Sequence, residues 1–282
     1  MEVYITKQLL QSILLPRKKD AHKGDFGHGL LVAGSEGMMG SAVLASKACL
    51  RSGIGILTTH TPACGVAILQ ISTPEAIVSK DKNDAFCSKI VTDEKYTSIA
   101  IGPGISTNPV TQNALYELLV TSKSRLIIDA DGLNCLSLHP EWLKLIPTNS
   151  LLTPHPKEFE RLVGKWNSNK VKIQKLKQFC NEFSVYVLLK SSKTILCSPN
   201  GELFINTTGN PGLAKGGSGD TLTGILLAFF SQGYSSKNAA ILAVYLHGLA
   251  ADLAVIKKTE YGLLASDIIQ YIPKAFKEIQ SF

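Results

Sequence analysis

The residues from Asn210 to Thr221 read NPGLAKGGSGDT, so several glycines and one acid directly precede the apolar run LTGILLAFF. That run continues at helical spacing, which places the glycines and Asp220 where a helix begins. Glycine backbone can turn successive N–H groups toward one anion, and the positive end of the helix dipole points to the same place. A carboxylate there could take a proton from an attacking hydroxyl, so we predict a phosphate-binding loop with Asp220 as its base. An aspartate that merely caps a helix would give the same local pattern, and the rest of the chain has to decide.

Short apolar runs alternate with longer amphipathic runs along the chain, which is typical of parallel strands joined by crossover helices. We predict strands at GLLVAG, GILTTHT, SIAIG, RLIIDA, SLLTP, VYVLLK and KTILCS. The predicted helices cover residues 41–51, 109–120, 156–163, 171–182, 221–231, 236–256 and 266–271. The pattern predicts one α/β domain over residues 1–282, a three-layer α/β/α sandwich around a mostly parallel sheet.

Ligands of such folds bind outside the carboxyl ends of the parallel strands. Glycines and polar residues follow the predicted strands at Ser35, Glu36, Gly37, Gly40, Pro103, Gly104, Asp131, Asn134, His155 and Glu158. We expect Asp131 and Asn134 to order one substrate crevice there, and Asp129, which alternates to the other face of its strand, to be structural. His155 stands between two prolines at a strand end, so we expect it to contact the ligand.

The composition of the chain limits the kinds of molecule that it is expected to bind. The net charge of +7 suits anionic molecules, but the basic residues are scattered except near Arg17 and Lys23, and no aromatic residues interleave them. We therefore predict no nucleic-acid partner. The six cysteines form no C-x-x-C pair, which indicates reduced core thiols in a cytoplasmic protein. The amino terminus lacks the pattern of a signal peptide and LTGILLAFF is too short to cross a bilayer, so we predict no membrane association.

The chain contains neither the G-x-x-x-x-G-K-[ST] nor the G-x-G-x-x-G phosphate motif. Instead, a set of stretches resembles the ribokinase-like superfamily and, within it, the NAD(P)H-hydrate dehydratase family. These stretches are HKGDFGHGLLVAGS, GSAVLASKACLRSGIGILTTHTP, AIGPGIS, IIDADGLN, LLTPHPKEFERL, VLLKSSKTIL, TGNPGLAKGGSGDTLTGILLA, YLHGLAADLA and ASDII. The resemblance runs nearly end to end, and the motifs are specific when taken together.

The resemblance implies repair of the hydrated forms of NADH and NADPH, with ADP or ATP and Mg²⁺ as phosphoryl donor. The ring hydroxyl would be phosphorylated and the phosphate would then leave while the ring nitrogen donates electrons. Asp220 would deprotonate the hydroxyl, and N–H groups of the glycine loop would stabilise the transferred group. The resemblance further implies ADP as the preferred nucleotide, a homotetramer, and a functional link to an epimerase on a separate chain, because too few residues precede the first motif helix for a fused epimerase domain.

The resemblance also assigns contacts residue by residue. For the substrate it points to Ala42, Gly104, His155 and Asp220, beside the Asp131 and Asn134 already singled out. For the nucleotide the predicted contacts are Lys190, Ser191, Ser192, Lys193, Thr194, Gly216, Gly217, Ser218 and Gly219. The residues that would hold Mg²⁺ stay unassigned.

The chain departs from the family pattern at two places. Ser191 stands where the family has glycine after the lysine, and Lys193 follows, which faces either a phosphate or solvent. Lys215 stands where a small polar residue is expected and is a second candidate for a phosphate contact. Two other readings stay open: a small-molecule kinase of the same fold, such as a hydroxyethylthiazole kinase, and a nucleotide sensor without catalysis. The histidine of TPHP argues against the kinase, and the intact GGSGD argues against the sensor.

Overall fold

Strands and helices alternate through most of the chain. The structure, a computed structural model, describes residues 2–281. Its strands are β1 (Glu2–Ile5), β2 (His28–Val32), β3 (Ile56–Thr61), β4 (Ile77–Lys80), β5 (Ser98–Ile101), β6 (Leu126–Ile128), β7 (Leu151–Leu152), β8 (Tyr186–Leu189), β9 (Ile195–Cys197) and β10 (Leu203–Asn206). Its helices are α1 (Lys7–Ile13), α2 (Met39–Arg51), α3 (Val66–Ser72), α4 (Pro109–Thr121), α5 (Ala130–Leu138), α6 (Pro156–Val163), α7 (Asn169–Glu182), α8 (Ser218–Ser231), α9 (Ser236–Gly262) and α10 (Ala265–Gln280). Short 3₁₀ turns cover Lys23–Phe26, Ala63–Gly65, Pro140–Leu145 and Pro211–Leu213.

The strands form one sheet in the order β1-β10-β9-β8-β7-β6-β5-β2-β3-β4. Within the described chain, β9 alone runs against its neighbours, pairing antiparallel with both β8 and β10. The strand order reverses between β2 and β5, which lie side by side and parallel. A crevice opens at such a reversal outside the carboxyl ends of the strands, so this edge is where a ligand site is expected.

Two apolar layers cover the two faces of the sheet. One contains buried side chains of α2, α8, α9 and α10 against one face of the strands. The other contains buried side chains of α4, α5, α6 and α7 against the opposite face. Because both faces are buried, the central strands carry continuous apolar runs such as Leu126–Ile128. The predicted three-layer α/β/α sandwich with a mostly parallel sheet is therefore confirmed.

Helix α8 sits directly on α2. A Cβ atom at Gly224 would lie 2.1 Å from the carbonyl oxygen of Ala45, so only glycine permits this approach of the two backbones. The contact fixes the position of the first turn of α8 against the first turn of α2.

The predicted element boundaries differ from the structure in a few places with identifiable causes. The last helix was predicted to end at Tyr271, but α10 continues to Gln280 through Pro273, a residue that normally marks a helix end. Strands β1, β4 and β10 were not predicted, and each is only four residues long and only partly buried. Helices α1, α3 and α5 were also not predicted, and α5 begins at Ala130 with only Asp129 between it and the preceding strand.

One helix among the described residues, α9, is long and apolar enough to cross a membrane, with a mean hydropathy of 1.9 over its most apolar window. Within that window 72% is buried inside the protein. Packing against α8 and α10 accounts for this apolar composition, because buried core helices pass the same test of length and hydropathy.

Candidate active site

The loops after β2 and β5 are joined at the point where the strand order reverses. The N–H of Gly34 donates to the carbonyl of Pro103 at 2.9 Å, and the hydroxyl of Ser35 donates to the carbonyl of Gly104 at 2.7 Å. Gly104 has a φ of 63°, and a Cβ there would lie 2.9 Å from the carbonyl oxygen of Met38. These contacts bring Gly104 against the start of α2 and form one wall of the crevice.

Ala42 lies in the first turns of α2 and has 0% exposed surface. It packs beneath Gly34, where a Cβ atom would lie 3.2 Å from the Cβ of Ala42. Ala42 therefore supports the floor of the crevice, and its contact with substrate stays a prediction.

The glycine loop leads into α8 three residues earlier than predicted. Gly217 is the N-cap, with a left-handed φ of 87°, and a Cβ there would lie 2.6 Å from the Cδ1 atom of Leu44. Ser218, Gly219 and Asp220 form the first turn, where N–H groups have no partner inside the helix. The N–H groups of this turn and the positive end of the helix dipole are thus directed at the carboxyl edge of the sheet, as the sequence predicted for a phosphate site.

Ser218 is buried and faces α9. Its hydroxyl lies 3.5 Å from Nε2 of His247, which is 6% exposed. Burial lowers the pKa of His247 to about 4, so this imidazole is neutral at neutral pH. His247 therefore lies in the core with its ring beside the first turn of α8.

Asp220 is half-buried on the first turn of α8. Burial raises its pKa above the ordinary aspartate value, and the charges of Asp129 and Asp131 add to that effect. A hydrogen bond from the hydroxyl of Ser41, on α2, and the charge of Lys190 act in the opposite direction. The net result is a carboxylate with a raised pKa at a helix start, which is the property expected of a general base.

Asp129 and Lys190 form a buried ion pair beside this turn. Nζ of Lys190 lies 2.6 Å from Oδ1 of Asp129, and the hydroxyl of Thr223 donates to Oδ2 at 2.6 Å. Burial opposes the ionisation of Asp129, but Lys190 and the hydroxyls of Thr223 and Thr153 outweigh it and hold its pKa below the usual value. The prediction that strand alternation separates Asp129 from Asp131 was wrong, because residues two apart on a strand share a face and because β6 ends before Asp129 and α5 begins at Ala130.

Asp131 and Asn134 lie on the first turns of α5. Oδ2 of Asp131 accepts the N–H of Ser106 at 2.9 Å, and Oδ1 accepts the side-chain amide of Asn134 at 3.1 Å. Arg161, on α6, donates to Oδ1 of Asn134. These bonds connect the loop after β5 to α6, and the contact of Asp131 and Asn134 with substrate stays a prediction.

His155 caps α6. Its Nδ1 accepts the N–H groups of Lys157 and Glu158 at 3.1 and 3.2 Å, and Glu158 in turn accepts the N–H of His155 at 2.7 Å. The imidazole is 45% exposed, and Nε2 lies 3.4 Å from Glu158. The ring is therefore held at the crevice mouth by the helix it caps, and the capping role accounts for the first-turn glutamate that the sequence left open.

The predicted nucleotide segment forms the turn between β8 and β9. The hydroxyl of Ser191 donates to the carbonyl of Lys193 at 2.7 Å, and Thr194 accepts the N–H of Ser191 at 3.3 Å. Ser191, Ser192 and Lys193 are exposed. Lys190 joins this turn to the TPHP segment, because its N–H donates to the carbonyl of Pro154 at 2.8 Å.

Lys215, which departs from the family pattern, donates from Nζ to the carbonyl oxygen of Tyr261 at the end of α9. In the structure it thus anchors the glycine loop to the carboxyl end of α9, at the kink where Thr259 has a φ of 59°.

Sequence reasoning did not single out Ser41, Thr223 or Arg161. Ser41 and Thr223 lie within quoted motifs, but their hydroxyls act on Asp220 and Asp129 only because α2, α8 and the end of β6 meet. The position of Thr223 three residues after Asp220 on one helix was the available signal for a shared face.

Two hollows of about 590 and 610 Å³ lie away from this edge. The first is lined by Arg17, Phe26 and Gly53 with the carboxyl end of α8, and the second by Tyr116, His139 and Trp142. Neither includes Asp220 or the glycine loop.

A family model described as NAD(P)H-hydrate dehydratase matches residues 29–274. The chain is 33% identical over 277 residues to the ADP-dependent (S)-NAD(P)H-hydrate dehydratase of Bacillus subtilis, with 98% of each chain covered. It is also 33% identical over 290 residues to the bifunctional NAD(P)H-hydrate repair enzyme of Moorella thermoacetica, covering 98% of this chain and 54% of that protein. The chain thus spans about half the length of the first curated relatives it matches.

The structural comparison agrees. The crystal structure of the ADP/ATP-dependent NAD(P)H-hydrate dehydratase from Bacillus subtilis, co-crystallised with ATP and Mg²⁺, has a TM-score of 0.87 at 31% identity, and 99% of each chain is covered. The resemblance inferred from the sequence motifs is confirmed at the level of both sequence and fold.

Proposed function

Because this chain belongs to the NAD(P)H-hydrate dehydratase family, we propose that it removes water from hydrated NADH and NADPH at the expense of a nucleotide, ADP in preference to ATP. The observation that carries the proposal is the position of Asp220 on the first turn of α8, with a raised pKa and beside helix N–H groups and Lys190. The small-molecule kinase alternative shares this base and loop, and the full-length match to dehydratases favours the present assignment.

The reaction follows from this arrangement in two steps. Asp220 takes the proton of the ring hydroxyl, whose oxygen forms a bond to the terminal phosphorus while the bond from phosphorus to the rest of the nucleotide breaks. The carbon–oxygen bond then breaks, inorganic phosphate leaves with the electron pair, and the ring nitrogen donates its pair to the ring. Loss of a proton from the adjacent carbon restores the double bond. Phosphorylation matters because hydroxide is a poor leaving group and phosphate is a good one.

The first turn of α8 and Lys190 would stabilise the phosphoryl group during transfer. N–H groups of Ser218 and Gly219 have no intrahelical acceptor, and the dipole of a fourteen-residue helix adds positive potential at the same point. We further propose that Gly216, Gly217 and the turn at 190–194 contact the nucleotide, and that Gly104, Asp131, Asn134 and His155 line the substrate side.

Mg²⁺ fits this site as an ion carried by the nucleotide. The carboxylates of Asp129, Asp131 and Glu158 already accept hydrogen bonds or ion pairs within the protein. Phosphate oxygens and water would therefore supply most ligands of the ion, which is the usual coordination of Mg²⁺ at nucleotide sites. Bound there, Mg²⁺ would neutralise charge on the phosphates.

We also propose a cytoplasmic homotetramer that works with an NAD(P)H-hydrate epimerase. Exposed apolar side chains on α3 and on the edge strand β4, among them Ile71 at 83% and Ile77 at 54% exposure, support an interface between copies. Light scattering on the protein and on an Ile71→Asp variant tests the assembly, and a wild type that is monomeric at micromolar concentration would contradict it.

The activity is tested with purified protein, chemically hydrated NADH, Mg²⁺ and either ADP or ATP. Recovery of the absorbance of the reduced nicotinamide, with one phosphate released per ring restored, is the expected result. Accumulation of a phosphorylated ring without phosphate release would favour a kinase, and no consumption of either nucleotide would reject the proposal.

A further inference from the structure

Side chains from three elements meet behind the first turn of α8. Asp129 follows β6, Lys190 follows β8, and Thr223 lies on α8 one turn after Asp220. The oxygens of Asp129 are divided between them: Oδ1 binds the ammonium of Lys190 and Oδ2 accepts the hydroxyl of Thr223, each at 2.6 Å. The hydroxyl of Thr153 also stabilises the carboxylate. One carboxylate thus connects two strand ends to the catalytic helix.

The side chain of Asp129 is 2% exposed and that of Lys190 is 21% exposed. The carboxylate stays charged in this environment because Lys190 and two hydroxyls compensate its burial. A buried ion pair contributes little net stability, whereas removing one partner leaves an uncompensated charge. The ion pair therefore contributes little to stability, and its main effect is to hold the ammonium of Lys190 in one position.

The ammonium of Lys190 lies beside Gly219, in the first turn of α8. The position of a Cβ atom at Gly219 lies 3.5 Å from Nζ of Lys190 and 3.8 Å from Oδ2 of Asp129. An ammonium group has three donors, and Asp129 binds one of them. The remaining donors lie at the same edge as the N–H groups of Ser218 and Gly219.

We propose that Asp129 is a positioning residue that holds the ammonium of Lys190 against the first turn of α8, so that Lys190 and the helix N–H groups bind the same phosphoryl group. The hydroxyl of Thr223 hydrogen-bonds the carboxylate of Asp129 and so connects it to α8, the helix that carries Asp220. The inference rests on the proposed function for the identity of the anion, a nucleotide phosphate, and it assigns to Asp129 a role beyond the structural one.

The ion pair of Asp129 and Lys190 also sets the electrostatic surroundings of Asp220. The charged and polar groups that act on Asp220 are Asp129 from the end of β6, Asp131 from α5, Lys190 from the end of β8 and Ser41 from α2. His247 of α9 touches the same turn through Ser218 and is neutral. The charges of Asp129 and Asp131 raise the pKa of Asp220 and that of Lys190 lowers it, so removing the charge of Asp129 takes away one raising influence and lowers the pKa of Asp220.

The test is Asp129→Asn in the full chain, with ADP affinity measured by calorimetry and kcat/KM measured against pH. The affinity for ADP should fall about tenfold or more because Lys190 is no longer held in place. The acid limb of kcat/KM should move to lower pH. If Asp129 only stabilised the fold, a folded Asp129→Asn protein would show neither a change in nucleotide KM nor a shift of the acid limb of kcat/KM.

Matched variants keep the test decisive if Asp129→Asn fails to fold. Thr223→Ser retains the hydroxyl and should retain ADP affinity, whereas Thr223→Val should weaken it and Lys190→Met should weaken it most. Asp81→Asn removes a buried carboxylate elsewhere and should leave ADP affinity unchanged.

A folded Asp129→Asn protein with ADP affinity within about twofold of wild type and an unshifted acid limb would overturn the inference. Equal ADP affinity in the Thr223→Ser and Thr223→Val proteins would overturn it as well. ADP binding needs no turnover, so a wild type that binds ADP without dehydrating the substrate would contradict the proposed function and leave this inference measurable.

Discussion

Asp81 and Asp220 differ in how their surroundings change the pKa of the carboxyl group, which is lowered in Asp81 and raised in Asp220. Asp81 follows β4, is 2% exposed, and accepts N–H groups of Asn83, Ser88 and Lys89 between 2.8 and 3.1 Å. It also pairs with Nε2 of His60 at 3.1 Å. Burial alone would raise its pKa, but these donors outweigh burial and lower the pKa to about 2.

Asp220 has few such donors. Ser41 supplies a hydroxyl, burial is the largest influence, and two other carboxylates lie close enough to oppose ionisation. Asp81 is thus stabilised as an anion and holds a loop in place, while Asp220 is left ready to accept a proton. The number of hydrogen-bond donors therefore separates Asp81, whose pKa is lowered, from the proposed base Asp220, whose pKa is raised.

The largest effect is expected from Asp220→Asn, which should lower kcat by about a hundredfold or more because the general base is lost. Stability should stay the same or increase, since a raised pKa in the folded state means that the ionised carboxylate costs free energy above that pKa. Steady-state rates and urea unfolding of the same preparations check both parts. A variant that loses both activity and stability would break the contrast with Asp81.

The reverse pattern is expected at Asp81. Its pKa lies at about 2 in the folded protein and near 3.8 in the unfolded chain, so it contributes about 2 kcal/mol of stability above pH 4. That contribution is lost as pH falls from about 4 toward 2. Asp81→Asn should therefore lower the free energy of unfolding by about 2 kcal/mol at neutral pH and should not move the acid limb of kcat/KM. Urea unfolding curves at several pH values measure the loss, and an unchanged free energy of unfolding would contradict the assignment.

Gly224→Ala tests whether the close backbone contact between α8 and α2 holds α8, which carries Asp220, in position. The new methyl group would meet the carbonyl of Ala45, so α8 should shift and stability should fall by about 1 to 3 kcal/mol. Gly216→Ala is the matched control, because no atom lies within 4 Å of its Cβ position. Thermal unfolding should give a lower midpoint for Gly224→Ala than for Gly216→Ala, and equal midpoints would contradict a rigid contact between α8 and α2.

The smallest effect is expected from Lys193→Ala. Lys193 is exposed in the turn after β8 and has no acidic partner among the described residues, so stability should change by no more than about 0.5 kcal/mol. The KM for ADP separates the two readings of this residue: little change means that Lys193 faces solvent, and a rise of several-fold means that it contacts a phosphate.

Most strands around the site could be predicted from the sequence because they form local apolar runs, whereas helix α5, which carries Asp131 and Asn134, was not predicted. The match was closest where the chain carries strong end signals, as at α6, whose bounds Pro156–Val163 were predicted without error. Proline at the first position and an acid in the first turn mark that start. At α10 the same reasoning failed, because Pro273 is tolerated within a helix that packs on the core.

The position of Asp220 at a helix start was predictable because the glycines, the acid and the apolar run that follows lie in one continuous motif. The site was not predictable where function arises from distant residues that meet in space. Asp129 and Lys190 are sixty-one positions apart, and nothing local in either segment indicates that they form an ion pair. The roles of Ser41 and Arg161 depend likewise on helix packing that a single sequence does not display.

The reversed direction of β9 has a consequence for how this family can vary. A parallel strand after β8 would need a crossover of a dozen or more residues, which would carry the chain to the opposite edge. Because β9 turns back at once, residues 190–194 connect the two strands without entering either helical layer. Changes of sequence or length in this hairpin, at Ser191 for example, can therefore be accommodated without repacking the interior.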